Sequence, residues 1–145
     1  MIGLLHLWHS LLNMPKYDRA WHEQDIADEL KEYNDAHDTF LHRWSELSDV
    51  AYTYTRARWS GHDFPRPLPL HLFLIGVLYM IPKISLRWWF YRIAGKRTNP
   101  HARLHEVRNP KKIEKVRVIS ENYHLDTIRF EQECRKLLRW WPLLD

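Results

Sequence analysis

The stretch that decides how this chain folds is LPLHLFLIGVLYMIPKISLRWWFYRIAGKR, residues 68–97. Between Leu68 and Leu86 only His71, Lys83 and Ser85 are clearly polar, and the mean hydropathy of the run reaches the range in which membrane-spanning helices are found. Its uninterrupted apolar core runs only from Leu72 to Ile81, whereas a span needs about 20 residues. Reaching that length means taking in His71 and passing Pro82 and Lys83. Proline kinks a helix without necessarily ending it. A helical protein that stays in water buries a run of this kind as its core helix, so hydropathy alone leaves both readings open.

The residues that follow favour a membrane. In RWWFYRIAGKR, residues 87–97, Trp88, Trp89 and Tyr91 stand among Arg87, Arg92, Lys96 and Arg97. Indole and phenol rings prefer the head-group zone of a bilayer, and long cationic side chains reach its phosphates. The expectation is that residues 72–81 insert, that the three aromatics sit at the boundary, and that the four cations hold anionic head groups. If the segment spans, the basic excess behind it puts the C-terminal half on the cytoplasmic or matrix side.

Charge is divided along the chain. Residues 1–63 hold 6 Lys and Arg against 11 Asp and Glu, a balance of −5, and residues 64–145 hold 16 against 7, a balance of +9. Between Lys83 and Arg117 eleven basic residues face only Glu106 and Glu114. Such a concentration suits an anionic partner, either phospholipid or nucleic acid, or forms a solvated basic face. Cys134 is the single cysteine, which excludes a disulfide-stapled secreted domain and favours an intracellular, reducing compartment.

Four segments follow from the pattern. Residues 1–13 form an apolar leader without Lys or Arg, too short to span and lacking the charges of a signal or transit peptide; it is either a short amphipathic anchor or a helix docked on the core. Residues 14–63 form an acidic helical unit. Ile26, Leu30, Tyr33, Phe40, Trp44, Leu47, Ala51 and Tyr54 recur at steps of 3 and 4, with His37 in the one gap. Asn34-Asp35 is where this stripe breaks into two helices, if it breaks at all. Residues 64–97 comprise a linker rich in proline (Pro65, Pro67, Pro69) and the hydrophobic central helix. Residues 98–145 read as a basic helical hairpin, its first helix starting at Asn109-Pro110. Its second starts at Asp126, buries Phe130, Cys134, Leu137, Leu138 and Trp141, and stops at Pro142. The fold class is therefore all-α.

Motifs for catalysis are thin. His101 and His105 have the i, i+4 spacing of a metal pair, but HARLH lacks the glutamate of HExxH. The isolated glycines build no phosphate loop, and no catalytic residue or cofactor is assigned. Lys111, Lys112 and Lys115 could touch phosphates without reading sequence. The leading expectation is a small non-catalytic membrane-associated adaptor or assembly subunit, its partners anionic lipid head groups, another protein, or both. The second is a soluble helical interaction protein touching RNA or phosphate within a larger complex. The third is a helical enzyme with a histidine and carboxylate site.

Overall fold

The computed structural model describes residues 2–139. Among them are six helices and no strand: α1 (Ile2–Leu11), α2 (Arg19–Asp35), α3 (Phe40–Trp59), α4 (Leu70–Thr98), α5 (Ile113–Asn122) and α6 (Thr127–Leu138). The all-α expectation holds. The chain forms two compact units, the first ending at Pro82 and the second beginning at Lys83, so the division falls inside α4. Trp140, Trp141 and Pro142, expected at the end of the last helix, lie outside the described residues.

In the first unit the acidic stripe does break. Helix α2 ends at Asp35, and α3 restarts behind Thr39, whose hydroxyl accepts from the His42 amide at 3.1 Å. Asp18 caps α2 in the same way, accepting from Trp21 N–H at 2.8 Å. The short connection makes α2 and α3 an antiparallel pair. Ile26, Tyr33, Leu47, Val50, Ala51 and Tyr54 fill its core. Phe40, expected in that stripe, is 66% exposed, because the restart at Thr39 resets the helical phase. A Schellman turn closes α3: His62 N–H bonds Ala57 O and Gly61 N–H bonds Arg58 O, both at 3.0 Å, with Gly61 at φ 96°.

Helix α1 docks on α3 through Leu5 and His9, both fully buried, and the Trp59 indole donates to the Ser10 hydroxyl at 3.0 Å. The proline linker folds back as well, with Leu68 buried and the Tyr54 hydroxyl donating to Phe64 O at 3.3 Å. The first part of α4 crosses α3 closely at Gly76. A Cβ there would lie 2.7 Å from Leu47 O and 3.1 Å from Ala51 Cβ, so only glycine permits the approach.

In the second unit the rest of α4 packs with the α5–α6 hairpin. Phe90, Tyr91, Ala94, Leu104, Val116, Ile119, Phe130 and Cys134 form a core, and the Asp126 carboxylate caps α6 by accepting from Arg129 N–H at 2.8 Å. Helix α5 begins at Ile113, later than expected. Asn109 instead holds the turn before it, its side chain accepting from Lys111 N–H at 3.0 Å.

Candidate membrane and anion-binding surface

Helix α4 carries two apolar faces. Phe73, Gly76, Val77 and Met80, and beyond Pro82 Ile84, Phe90, Tyr91 and Ala94, are buried. At about 100° per residue, Leu70, Leu74, Leu78 and Ile81 in the first unit fall opposite its buried positions, and Leu86, Trp89 and Ile93 in the second fall opposite those of the second. Leu78 and Trp89 are each 54% exposed, Leu70, Leu86 and Ile93 are exposed too, and Leu74 and Ile81 are half-buried. Among the positions on those sides, none from Leu70 to Ile81 in the first unit and none from Leu86 to Trp89 in the second is Asp, Glu, Lys or Arg. Among the described residues α4 is one helix long and apolar enough to cross a membrane, and only 33% of its most apolar window is buried by the protein.

In the second unit the outward side of α4 carries an aromatic and cationic cluster. Trp88 and Trp89 meet edge to face with centroids 5.1 Å apart. Arg92 lies over both rings, 4.2 Å from the centroid of Trp88 and 5.9 Å from that of Trp89. One turn on, Lys96 projects from the same helix face, and the chain turns back after Thr98. Asn99 makes that turn: its carbonyl accepts from Ala102 N–H at 2.9 Å and its side chain from His101 N–H at 3.0 Å. Leu104 anchors the returning segment in the core against Gly95, where a Cβ would collide with Leu104 Cδ1. The amide of His105 donates to the Tyr123 hydroxyl at 3.1 Å. Between helix end and returning segment lies an open pocket of about 370 Å³ lined by Arg92, Lys96, His101, Arg103 and His105, with Leu104 and its neighbours completing the wall.

The expected boundary residues thus separate. Trp88, Trp89, Arg92 and Lys96 share one surface region. Tyr91 does not: it is fully buried, its ring 6.3 Å from that of Phe130, because its position faces the hairpin core. Arg97 is drawn toward α6, 3.8 Å from the Glu133 carboxylate, and its carbonyl accepts from Arg129. Arg87 is half-buried. Lys111 and Lys112 are exposed and Lys115 is half-buried, so they differ in access to a phosphate backbone. His101 and His105 are not on a helix, since α4 ends at Thr98, and the metal-pair geometry their spacing implied is absent. They share a pocket with three cations instead, surroundings that repel a metal ion.

Two further clusters lie in the first unit. Glu29 on α2 and Glu46 and Asp49 on α3 bring carboxylate oxygens within 4.8 Å of one another. Burial, then Asp49 and the other nearby carboxylates, push Glu29 up to about 8, so it holds a proton at neutral pH. The sequence showed Glu29 only as one of many outward acids, because its partners come from another helix. Around Arg56, which is 8% exposed and stacked against Tyr17 and Trp21 at 5.1 and 4.9 Å, lie the buried rings of His9 and His22. Burial holds His9 down at about 3 and lowers His22 as well. Cys134 is raised to about 12 by burial, an inert thiol.

No protein-family model, curated protein or solved structure matches the chain.

Proposed function

We propose that this protein is a non-catalytic, membrane-associated adaptor or assembly subunit that lies on an anionic bilayer surface through the outward face of α4. The observation that carries the reading is the uncharged apolar outward side of α4 in the first unit, Leu70 to Ile81, together with Trp88, Trp89 and Arg92 on α4 in the second. An exposed apolar helix face costs hydration free energy that a lipid boundary removes. Two indoles and a guanidinium match the chemistry of the head-group zone.

Several features favour lying on the membrane over crossing it. The inner face of the first part of α4 packs on α3, which carries Glu46 and Asp49 beside Glu29 of α2. A crossing α4 would draw those carboxylates into hydrocarbon, at a cost of several kcal/mol each. Pro82 also leaves the Leu78 carbonyl without its helical donor, on the outward side, where head-group water can satisfy it. Helix α1 adds a second charge-free stripe, with Leu4, Leu7 and Leu11 all exposed.

The test is sedimentation with vesicles. The wild-type chain should pellet with phosphatidylcholine vesicles containing phosphatidylserine, less so in high salt, and brominated lipid should quench its tryptophan fluorescence. A chain carrying Leu74→Glu and Leu78→Glu should fold and stay in the supernatant. Wild-type protein that remains monodisperse without detergent and ignores anionic vesicles at low salt would remove the proposal.

A further inference from the structure

We infer that the pocket between the end of α4 and residues 99–105 binds a phosphomonoester, the doubly charged phosphate of a lipid head group or of a small soluble ester. The inference rests on the membrane reading only for the lipid source; the pocket's chemistry stands by itself.

Three permanent cations, Arg92, Lys96 and Arg103, and two imidazoles, His101 and His105, line one open cavity. No carboxylate is among its lining residues. The nearest in sequence, Glu106, is already engaged by Arg108 at 2.7 Å and by the Asn122 amide at 2.9 Å. Among the described residues Arg92, Lys96 and Arg103 form no ion pair. Like charges held together without a counter-ion repel, and an anion seated among them relieves that repulsion.

The complement of a helix dipole accounts for part of the cluster. Lys96 falls in the last turn of α4, where cations are favoured. It does not account for Arg103, His101 and His105, which arrive from beyond the helix and are held there by built features. Leu104 plugs into the space left by Gly95, the Asn99 turn reverses the chain, and Tyr123 fixes the His105 amide. Arg92 is oriented by its stacking on Trp88. A guanidinium stacked on an indole, a second guanidinium, an ammonium and two imidazoles lining one cavity suit a group with several equivalent oxygens and two charges. A phosphodiester offers one charge and two free oxygens; a phosphomonoester offers more of both.

The experiment compares vesicles of phosphatidylcholine doped with phosphatidic acid or, at matched surface charge, with phosphatidylserine. In parallel, glycerol 3-phosphate is titrated while the imidazole resonances of His101 and His105 are followed by NMR. Wild-type protein should prefer phosphatidic acid about fivefold or more, the scale of one cation near a charged surface. The variant Lys96→Gln/Arg103→Gln, both exposed positions, should lose the preference. Arg103→Gln alone, which leaves the α4 cations in place, should weaken the preference while keeping the phosphatidylserine binding of a charge-matched control, Arg139→Gln. Equal binding to the two lipids with no response to glycerol 3-phosphate, or a preference that survives in the double variant, overturns the inference. Shifts at both histidines with glycerol 3-phosphate, abolished in the double variant, support it with a soluble ester as sufficient; a preference confined to vesicles assigns the group to lipid. Vesicle binding without preference or shifts removes the pocket and leaves the α4 reading standing. Shifts without vesicle binding do the reverse.

Discussion

Glu29 is where a single residue's chemistry is most exposed to test. Its carboxyl is raised to about 8 against an ordinary 4.5, so the folded state holds a proton that the unfolded chain releases between those values. Its contribution is therefore complete below pH 4.5 and falls as pH rises toward 8. Glu29→Gln should raise the melting temperature at pH 8 by a few degrees and make no difference near pH 4, as measured by thermal unfolding across that range. His9 has the opposite sign. Its ring is held near 3 by burial first, then by the charges of His6 and Arg56, so stability present above pH 6.5 is lost as pH falls toward 3. Little of this was legible in the sequence. The acids of residues 25–38 looked alike there, and what distinguishes Glu29 is the approach of two carboxylates from α3.

At the scale of elements, α1 and α4 carry the sharpest expectations. Helix α1 is held to α3 by Leu5, by His9, whose Nε2 lies 3.3 Å from the Thr55 hydroxyl oxygen, and by the Ser10–Trp59 bond. Protonating His9 should free it. Amide protection factors, corrected for the intrinsic pH dependence of exchange, should fall in residues 3–11 as pH drops below 6.5 while those of α6 hold, and His9→Leu should remove that fall. Helix α4 depends on Gly76. A methyl group there meets a backbone carbonyl, which cannot swing aside as a side chain can. Gly76→Ala should cost about 1–3 kcal/mol, or roughly 2–4 °C of melting temperature per kcal/mol. The existence of α2, α3, α4 and α6 was readable from periodicity and caps, and Asp126 stands where its residue type put it. Periodicity could not show that Phe40 turns outward or that α5 starts after Lys112. Both depend on where one helix lets go of the next.

For the molecule as a whole, the opposing residues of the first unit set a stability optimum. Glu29 weakens it as pH rises above 4.5, while His9 and His22 weaken it as pH falls below 6.5. Unfolding followed by circular dichroism should therefore show greatest stability near pH ~6, where the two windows overlap and their opposing slopes offset each other. A melting temperature still climbing at pH 8 would contradict the protonated Glu29. On the proposed reading, membrane attachment should depend on salt, because the cations assigned to head groups sit at the exposed end of α4 and are screened within about 8 Å at physiological ionic strength. The apolar outward side of α4 in the first unit should not share that dependence. Residual binding at high salt should disappear with Leu74→Glu/Leu78→Glu and persist with Lys96→Gln/Arg103→Gln.

The sequence by itself determined that the chain is helical, that acidic and basic residues are segregated along it, and that residues 68–97 combine an apolar run with an aromatic and cationic exit. These are matters of composition and period, which local backbone geometry converts directly into helices and their faces. Only the tertiary structure decided which side of that helix is covered. Trp89 and Tyr91 are two positions apart, and one faces outward while the other lies in the core, because a helix turns about 200° in two residues and the α5–α6 hairpin covers just one side. Only the fold brought Arg103, His101 and His105 back beside Arg92 and Lys96. That meeting depends on a turn at Asn99 and on a leucine seated where a glycine has no side chain, and spacing along the chain carries no trace of it.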